Sequence, residues 1–172
     1  ANSGDERGPE RAELILRKME ELYKLGFSTL KPDTVTYSAV INAWAKSNVK
    51  QSASHAEQLL YELEHHYKNG ITDLKPDAIT YNTVINALAK SGEPDAAKRA
   101  ESILSSMQKK TLEGRIDIKP DKHTYTSVIN ACAFTRNEAE KKEAFRIAFS
   151  VFKKMTLEGV KPDEFTYSSL LY

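Results

Sequence analysis

Residues 31–45 read KPDTVTYSAVINAWA, and this stretch indicates how the chain folds. Apolar residues recur along it at i, i+3, i+4 and i+7, which is the spacing of one face of a helix. They are Tyr37, Val40, Ile41 and Trp44. Asp33 precedes them as a good N-cap, and Pro32 keeps the preceding segment from continuing as a helix. The stretch therefore predicts an amphipathic helix that begins after Asp33.

The same stretch recurs along the chain. Lys-Pro-Asp occurs four times, with its prolines 44, 44 and 42 residues apart, and each copy is followed two residues later by Thr-Tyr. A second helical stripe lies between successive copies, at Ala56, Leu59, Leu60 and Leu63, then Ala100, Ile103, Leu104 and Met107, then Ala148, Val151, Phe152 and Met155. No alternation of the kind that strands show competes with these stripes. The pattern predicts an all-α protein, an α-solenoid of stacked antiparallel helix pairs.

The repeats divide the chain into five segments. Residues 1–33 form a leading half-repeat with a second helix only, after flexible first residues. Three repeats follow at 34–77, 78–121 and 122–163, and 164–172 form the first helix of an incomplete repeat. The third repeat lengthens the turn between its helices, over residues 134–144. Because the chain lacks an initiator Met and ends on apolar residues, we expect it to be part of a longer array.

Composition narrows the possible functions. The 172 residues carry a formal net charge of +1, so no global field attracts the chain to nucleic acid. A single cysteine excludes a disulfide framework, and no apolar run reaches the roughly 20 residues of a spanning helix. The adjacent pair His65-His66 points two ways on a helix, and Cys132 lies on the core stripe, so we expect neither a metal site nor a cofactor. No catalytic constellation stands out, and we expect no enzyme.

Together, Val-Thr-Tyr-x-x-Val-Ile-Asn-Ala, the second stripe and the closing Lys-Pro-Asp resemble the pentatricopeptide repeat, from about Pro9 to Tyr172. The units are longer than is usual for that family. The resemblance implies a right-handed superhelix that binds single-stranded RNA, with one repeat reading one base through two or three side chains. It also implies a mitochondrial or plastid location and a role in organellar RNA processing, stability or translation.

The residues themselves indicate a second face on each first helix, beside the core stripe. These side chains are too small and polar to form a core, yet carry too little charge for an ordinary solvated face. They are Val35, Ser38, Asn42 and Ala45, then Ile79, Asn82, Asn86 and Ala89, then His123, Thr126, Asn130 and Ala133. Stacked in a solenoid, they would line one continuous groove.

The resemblance implies that the residue after Thr-Tyr and the Asp closing that repeat read one base together. The pairs implied are Ser38 with Asp77, Asn82 with Asp121, and Thr126 with Asp163. In this family Asn with Asp prefers U, and Ser or Thr with Asp prefers G. The implied RNA is G-U-G, from 5′ to 3′. Asp33 and Ser168 are half-pairs, whose partners lie outside this chain.

Other family positions also match this sequence. The residue before Thr-Tyr sandwiches bases in the family, and here it is Val35, Ile79, His123 or Phe165, of which the last two depart from the usual Val or Ile. Lys46 and Lys90 match a lysine that approaches phosphate. Phe134 stands at that position in the third repeat, which puts backbone contact there in doubt.

Each of these residues also has a purely structural interpretation. The aspartates can cap helices as well as read bases, Lys46 and Lys90 can be solvated charges, and Thr36 and its copies are expected to be structural. The buried-face tyrosines Tyr37, Tyr81 and Tyr125 are expected to pack rather than stack on bases, and Asn42, Asn86 and Asn130 to tie helices together. The whole solenoid can instead be a protein-binding scaffold in an organellar assembly, such as a ribosome or the periphery of a membrane complex.

Overall fold

The structure is a computed structural model that describes residues 7–171. The predicted flexible first residues, 1–6, and Tyr172 lie outside this range. Eight α-helices and no strand lie within residues 7–171. The helices are α1 Gly8–Lys24, α2 Thr34–Lys46, α3 Ser52–Lys68, α4 Ala78–Ser91, α5 Ala96–Leu112, α6 Lys122–Ala133, α7 Glu138–Leu157 and α8 Glu164–Leu170. None of these eight is long and apolar enough to cross a membrane. The predicted all-α class is confirmed.

The aspartate of each Lys-Pro-Asp caps the helix that follows it, as the sequence predicts. In every copy its Oδ1 accepts a hydrogen bond from the backbone N–H of the threonine three residues later, at 2.8 Å for Asp33, 2.8 Å for Asp77, 2.9 Å for Asp121 and 3.0 Å for Asp163. Such a cap contributes about 1 kcal/mol to helix stability. The bonds from Thr36 also hold the pKa of Asp33 below its usual range.

The chain forms two compact units, and the first ends at Pro76. Within it α2 contacts both α1 and α3, so that Tyr37, Ile41 and Trp44 are buried. The hydroxyl of Tyr37 donates to Glu20 of α1, and burial raises the pKa of this phenol well above its usual range. The predicted packing role of Tyr37 is confirmed.

The second unit begins at Asp77 and contains α4 to α8. The first helices of its repeats stack side by side, α4 on α6 and α6 on α8, while α5 and α7 cover them. Each helix pair therefore buries its stripe against its neighbours, as in an α-solenoid. Tyr81 and Tyr125 are 1% and 0% exposed, which again confirms packing.

The extra length of the repeats lies in two kinds of places. A 3₁₀ turn follows α1, α3 and α5, at Ser28–Leu30, Thr72–Leu74 and Ile116–Ile118. The predicted long turn of the third repeat is wrong in part, because α7 already begins at Glu138. Asn137 caps this extension by accepting from the N–H of Ala139 at 3.0 Å, and the acidic residues of its first turn suit the positive end of the helix dipole.

Cys132 gives a probe of this packing. Its side chain is 7% exposed, and burial raises the pKa of the thiol to about 12. We expect it to react with Ellman's reagent at pH 8 at least about 100-fold more slowly in the native protein than in denaturant, because the thiolate is the reactive form. Stopped-flow absorbance measures both rates. Rapid reaction without denaturant would contradict the packed position.

Candidate nucleic-acid interface

The predicted groove faces of α4 and α6 lie together in one open cleft of the second unit, with a volume of about 980 Å³. We call it the reading cleft. Side chains from three first helices line it. They are Ile79, Asn82, Thr83, Asn86, Ala89, Lys90, Asp121, Lys122, His123, Thr126, Ser127, Asn130, Phe134, Asp163 and Phe165. Four of the six residues predicted to read bases are among them.

Asn82 and Asp121 are joined by Thr124. The Thr124 hydroxyl lies 2.8 Å from Oδ1 of Asn82 and 2.9 Å from Oδ1 of Asp121, and its single hydrogen is shared between these two acceptors. The Asp121 N–H donates back to the same hydroxyl at 3.0 Å. Within the described residues, this leaves Nδ2 of Asn82 as a donor and Oδ2 of Asp121 as an acceptor without a protein partner. The pair therefore offers one donor and one acceptor to a ligand.

The next reading pair, Thr126 and Asp163, is joined by Thr166 in the same way, but its carboxylate also binds a lysine. The hydroxyls of Thr126 and Thr166 lie 3.0 Å apart, and the Thr166 hydroxyl donates to Oδ1 of Asp163 at 2.9 Å. Lys122 Nζ lies 2.9 Å from Oδ2 of Asp163. The ammonium, followed by the bonds from Thr166, holds the pKa of this carboxyl well below its usual range. This pair therefore presents a carboxylate that already holds a cation.

Exposed apolar side chains flank these polar pairs. Ile79 is 74% exposed and Phe165 is 61% exposed. His123 lies between them in sequence and is also exposed. These three are the predicted base-sandwiching residues of the second unit. Phe134, 56% exposed, stands where Lys90 stands in the preceding repeat. The cleft combines apolar flanks with polar pairs.

In the first unit, the predicted residues lie on α2. Val35 is 74% exposed, Ser38 is half-buried, and Lys46 is exposed at the end of the helix. Ser38 and Asp77 belong to different units, and their pairing stays a prediction from the sequence. Ser168, a predicted half-pair, is exposed on α8.

Sequence reasoning missed two features of the reading cleft. Lys122 occupies the first position of its helix, where the other repeats have Thr34, Ala78 and Glu164, so an odd cation was the available signal. The threonines before the tyrosines were expected only to be structural, yet Thr124 and Thr166 also contact the reading pairs.

The asparagines of Val-Ile-Asn-Ala behave differently from one another. Asn130 ties α6 to α8, since its Oδ1 accepts from the Ser169 hydroxyl. Asn86 is exposed in the cleft, so for this residue the expected tie is not made within the described part of the chain.

Two family models match this chain. The first, described as a PPR repeat family, matches residues 76–133. The second, described as a pentatricopeptide repeat domain, matches residues 114–172, so the two together span more than half of the sequence. The chain belongs to the pentatricopeptide repeat family. No curated protein shows significant similarity to the sequence. Pentatricopeptide repeat proteins typically bind RNA, generally without enzymatic activity, and are typically organellar.

Proposed function

We propose that this pentatricopeptide repeat chain binds single-stranded RNA selectively, with the reading cleft accepting U and then G in the 5′ to 3′ direction. The observation that supports this most is the donor of Asn82 beside the acceptor of Asp121 in an open, apolar-flanked cleft. With Ser38 and Asp77 of the sequence pattern, the full preference is G-U-G.

The chemistry of the bases suits these groups. Uracil presents its O4 acceptor next to its N3–H donor, which complements the free donor of Asn82 and the free acceptor of Asp121. Guanine presents O6 beside N1–H and N2–H, and the Lys122–Asp163 pair supplies a cation and a carboxylate. Ile79, His123 and Phe165 would contact the faces of the bases.

The expected affinity of this segment is modest. Stacking contributes about 1–3 kcal/mol per base, and three bases therefore give a gross contribution of about 3–9 kcal/mol before the costs of association. Lys46 and Lys90 on phosphates would give a salt slope of about −0.7 each. Micromolar or weaker binding is therefore consistent with the proposal. The selectivity, rather than the affinity, is its distinguishing property.

We further propose that this binding serves RNA processing, stability or translation in a mitochondrion or plastid. The support is the typical location of the family, together with the reading cleft itself.

Asn82→Thr tests the base reading directly. The wild-type chain should prefer a G-U-G core over a G-G-G core by about 10-fold, and the variant should reverse that preference, because bidentate base contacts discriminate by about 1–3 kcal/mol. The third pair already carries Thr126 at this position, so the fold accommodates it. Fluorescence anisotropy with short labelled RNAs, their cores flanked by adenines, measures both affinities.

Asn86→Thr is the matched control, since Asn86 lies in the same cleft on the same helix but outside the reading pairs. It should leave the preference for the middle base unchanged. Equal, purely salt-dependent binding of the wild-type chain to both RNAs would contradict the proposal.

A scaffold role is the second candidate, because large apolar side chains are exposed away from the reading cleft. Leu112, Ile116 and Leu157 are 76–89% exposed near the ends of α5 and α7. The lengthened helix ends of these repeats supply such a surface. Capture of stable protein partners from organelle extract, lost when Leu112 and Ile116 are changed to serine, would favour it. A chain that stays monodisperse and captures no partner would count against it.

A further inference from the structure

We infer that Thr124 and Thr166 are positioning residues that determine which hydrogen-bonding group each reading pair presents to its base. This inference rests on the proposed RNA binding and deepens it. Each threonine belongs to the repeat after its reader and bonds to both members of the pair, Thr124 to Asn82 and Asp121, and Thr166 to Thr126 and Asp163. A reading site is therefore a triad drawn from two repeats.

Thr124 has a specific effect on Asn82. The amide of asparagine has a donor end and an acceptor end of nearly the same shape, and the partner of one end decides which end faces outward. Since the Thr124 hydroxyl donates to Oδ1 of Asn82, Nδ2 is the end left for a ligand. Thr124 is 0% exposed, so its hydroxyl is shielded from water on its own side of this contact.

The two oxygens of each reading-pair aspartate also have different partners. Oδ1 of Asp121 receives both the backbone N–H and the hydroxyl of Thr124, so Oδ2 takes no part in the cap. Oδ1 of Asp163 likewise receives both bonds from Thr166. In both carboxylates Oδ1 caps the helix, while Oδ2 of Asp121 is left for the cleft and Oδ2 of Asp163 pairs with Lys122. Removing the hydroxyl would free the amide to present either end and loosen the carboxylate, while the backbone N–H would still hold the cap.

The test compares Thr124→Val, which keeps the shape and removes the hydroxyl, with the wild-type chain. Short RNAs with G-U-G and G-C-G cores report the middle base, and RNAs with G-U-G and G-U-A cores report the third base. Fluorescence anisotropy measures the affinities. The wild-type chain should prefer U over C at the middle base by about 10-fold, and Thr124→Val should reduce this ratio below about 3-fold. Discrimination at the third base should be unchanged. Thr124→Ser, which keeps the hydroxyl, should restore the ratio.

Thr36→Val is the matched control. Its hydroxyl donates to the capping Asp33 at 2.7 Å, as in the other copies, but Asp33 is a half-pair whose reader is not in this chain. It removes an equivalent cap contact and should leave discrimination at both bases intact. Thr166→Val should lower discrimination at the third base alone.

The outcomes separate the two levels of the proposal. If the wild-type chain does not distinguish the G-U-G RNA from the G-C-G RNA, the proposed function is wrong. If the wild-type chain distinguishes these RNAs and Thr124→Val is equally selective, only the positioning role of Thr124 is wrong. Equal loss at both bases, or loss in Thr36→Val, also overturns it, since general damage to the fold would then account for the effect. If Thr124→Val does not fold, the third-base ratio of Thr166→Val decides.

Discussion

Replacing Tyr125 by alanine is expected to lower the free energy of unfolding by about 3–5 kcal/mol, the range measured for large aromatic side chains in cores. Tyr125 is fully buried in α6, the helix that contacts α4, α5, α7 and α8. Its loss would leave a cavity at the centre of the second unit. Urea unfolding followed by circular dichroism measures the change in midpoint.

Two variants resolve the causes of that loss. Tyr125→Phe keeps the ring and removes the hydroxyl that accepts from Gln108 at 3.0 Å, and should cost about 1 kcal/mol. Tyr167 occupies the same repeat position in α8 but is 53% exposed, so Tyr167→Ala should cost less than about 1 kcal/mol. Equal destabilisation by Tyr125→Ala and Tyr167→Ala would show that the motif, rather than its burial, sets the cost.

The helices were predictable because each repeat contains the same local signals for the start and the buried face of a helix. Pro32 excludes a preceding helix, Asp33 caps the next one, and the stripe that starts at Tyr37 has only one helical face to bury. All four caps and the packing of the three tyrosines follow from these rules. The repeats strengthened the prediction, because in every copy the local helix signals and the packing between repeats favour the same structure.

The candidate site was predictable only in part, because its geometry depends on contacts between repeats. Thr124 has the local signature of a capping residue, and its bond to Asn82, 42 residues earlier, has no local signal. The ion pair of Lys122 with Asp163 likewise joins residues far apart in sequence. The helical start of α7 at Glu138 was missed because extra residues between the two helices of a repeat look like a loop until the cap at Asn137 is recognised.

The same carboxylates stabilise the helices and line the reading cleft. In the copies that line the cleft, Oδ1 receives the cap bonds, so the position of the reading oxygen is set by the start of the helix. A change at Asp121 would therefore alter stability and selectivity together, whereas changes at Asn82 or Ile79 leave the cap in place. RNA binding is therefore better tested at the exposed flanks of the cleft, where a substitution does not also remove a helix cap.

Ile79→Asp is expected to weaken RNA binding by about 10-fold to 100-fold with little loss of stability. Ile79 is 74% exposed in the reading cleft, so its side chain adds little to the core, while a base stacked on it would gain about 1–3 kcal/mol. The new carboxylate would also repel the phosphate backbone. Anisotropy titration and thermal melting measure the two effects.

Ile116→Asp is a closely matched control for this variant. Ile116 belongs to the same unit and is 78% exposed, but it does not line the reading cleft. The substitution changes the net charge by the same amount, so any general electrostatic effect on RNA binding is shared by both variants. Ile79→Leu should retain most of the affinity, because it keeps an apolar surface for the base. If Ile79→Asp and Ile116→Asp weaken binding equally, RNA is held by net charge, and the apolar flank of the cleft does not contact a base.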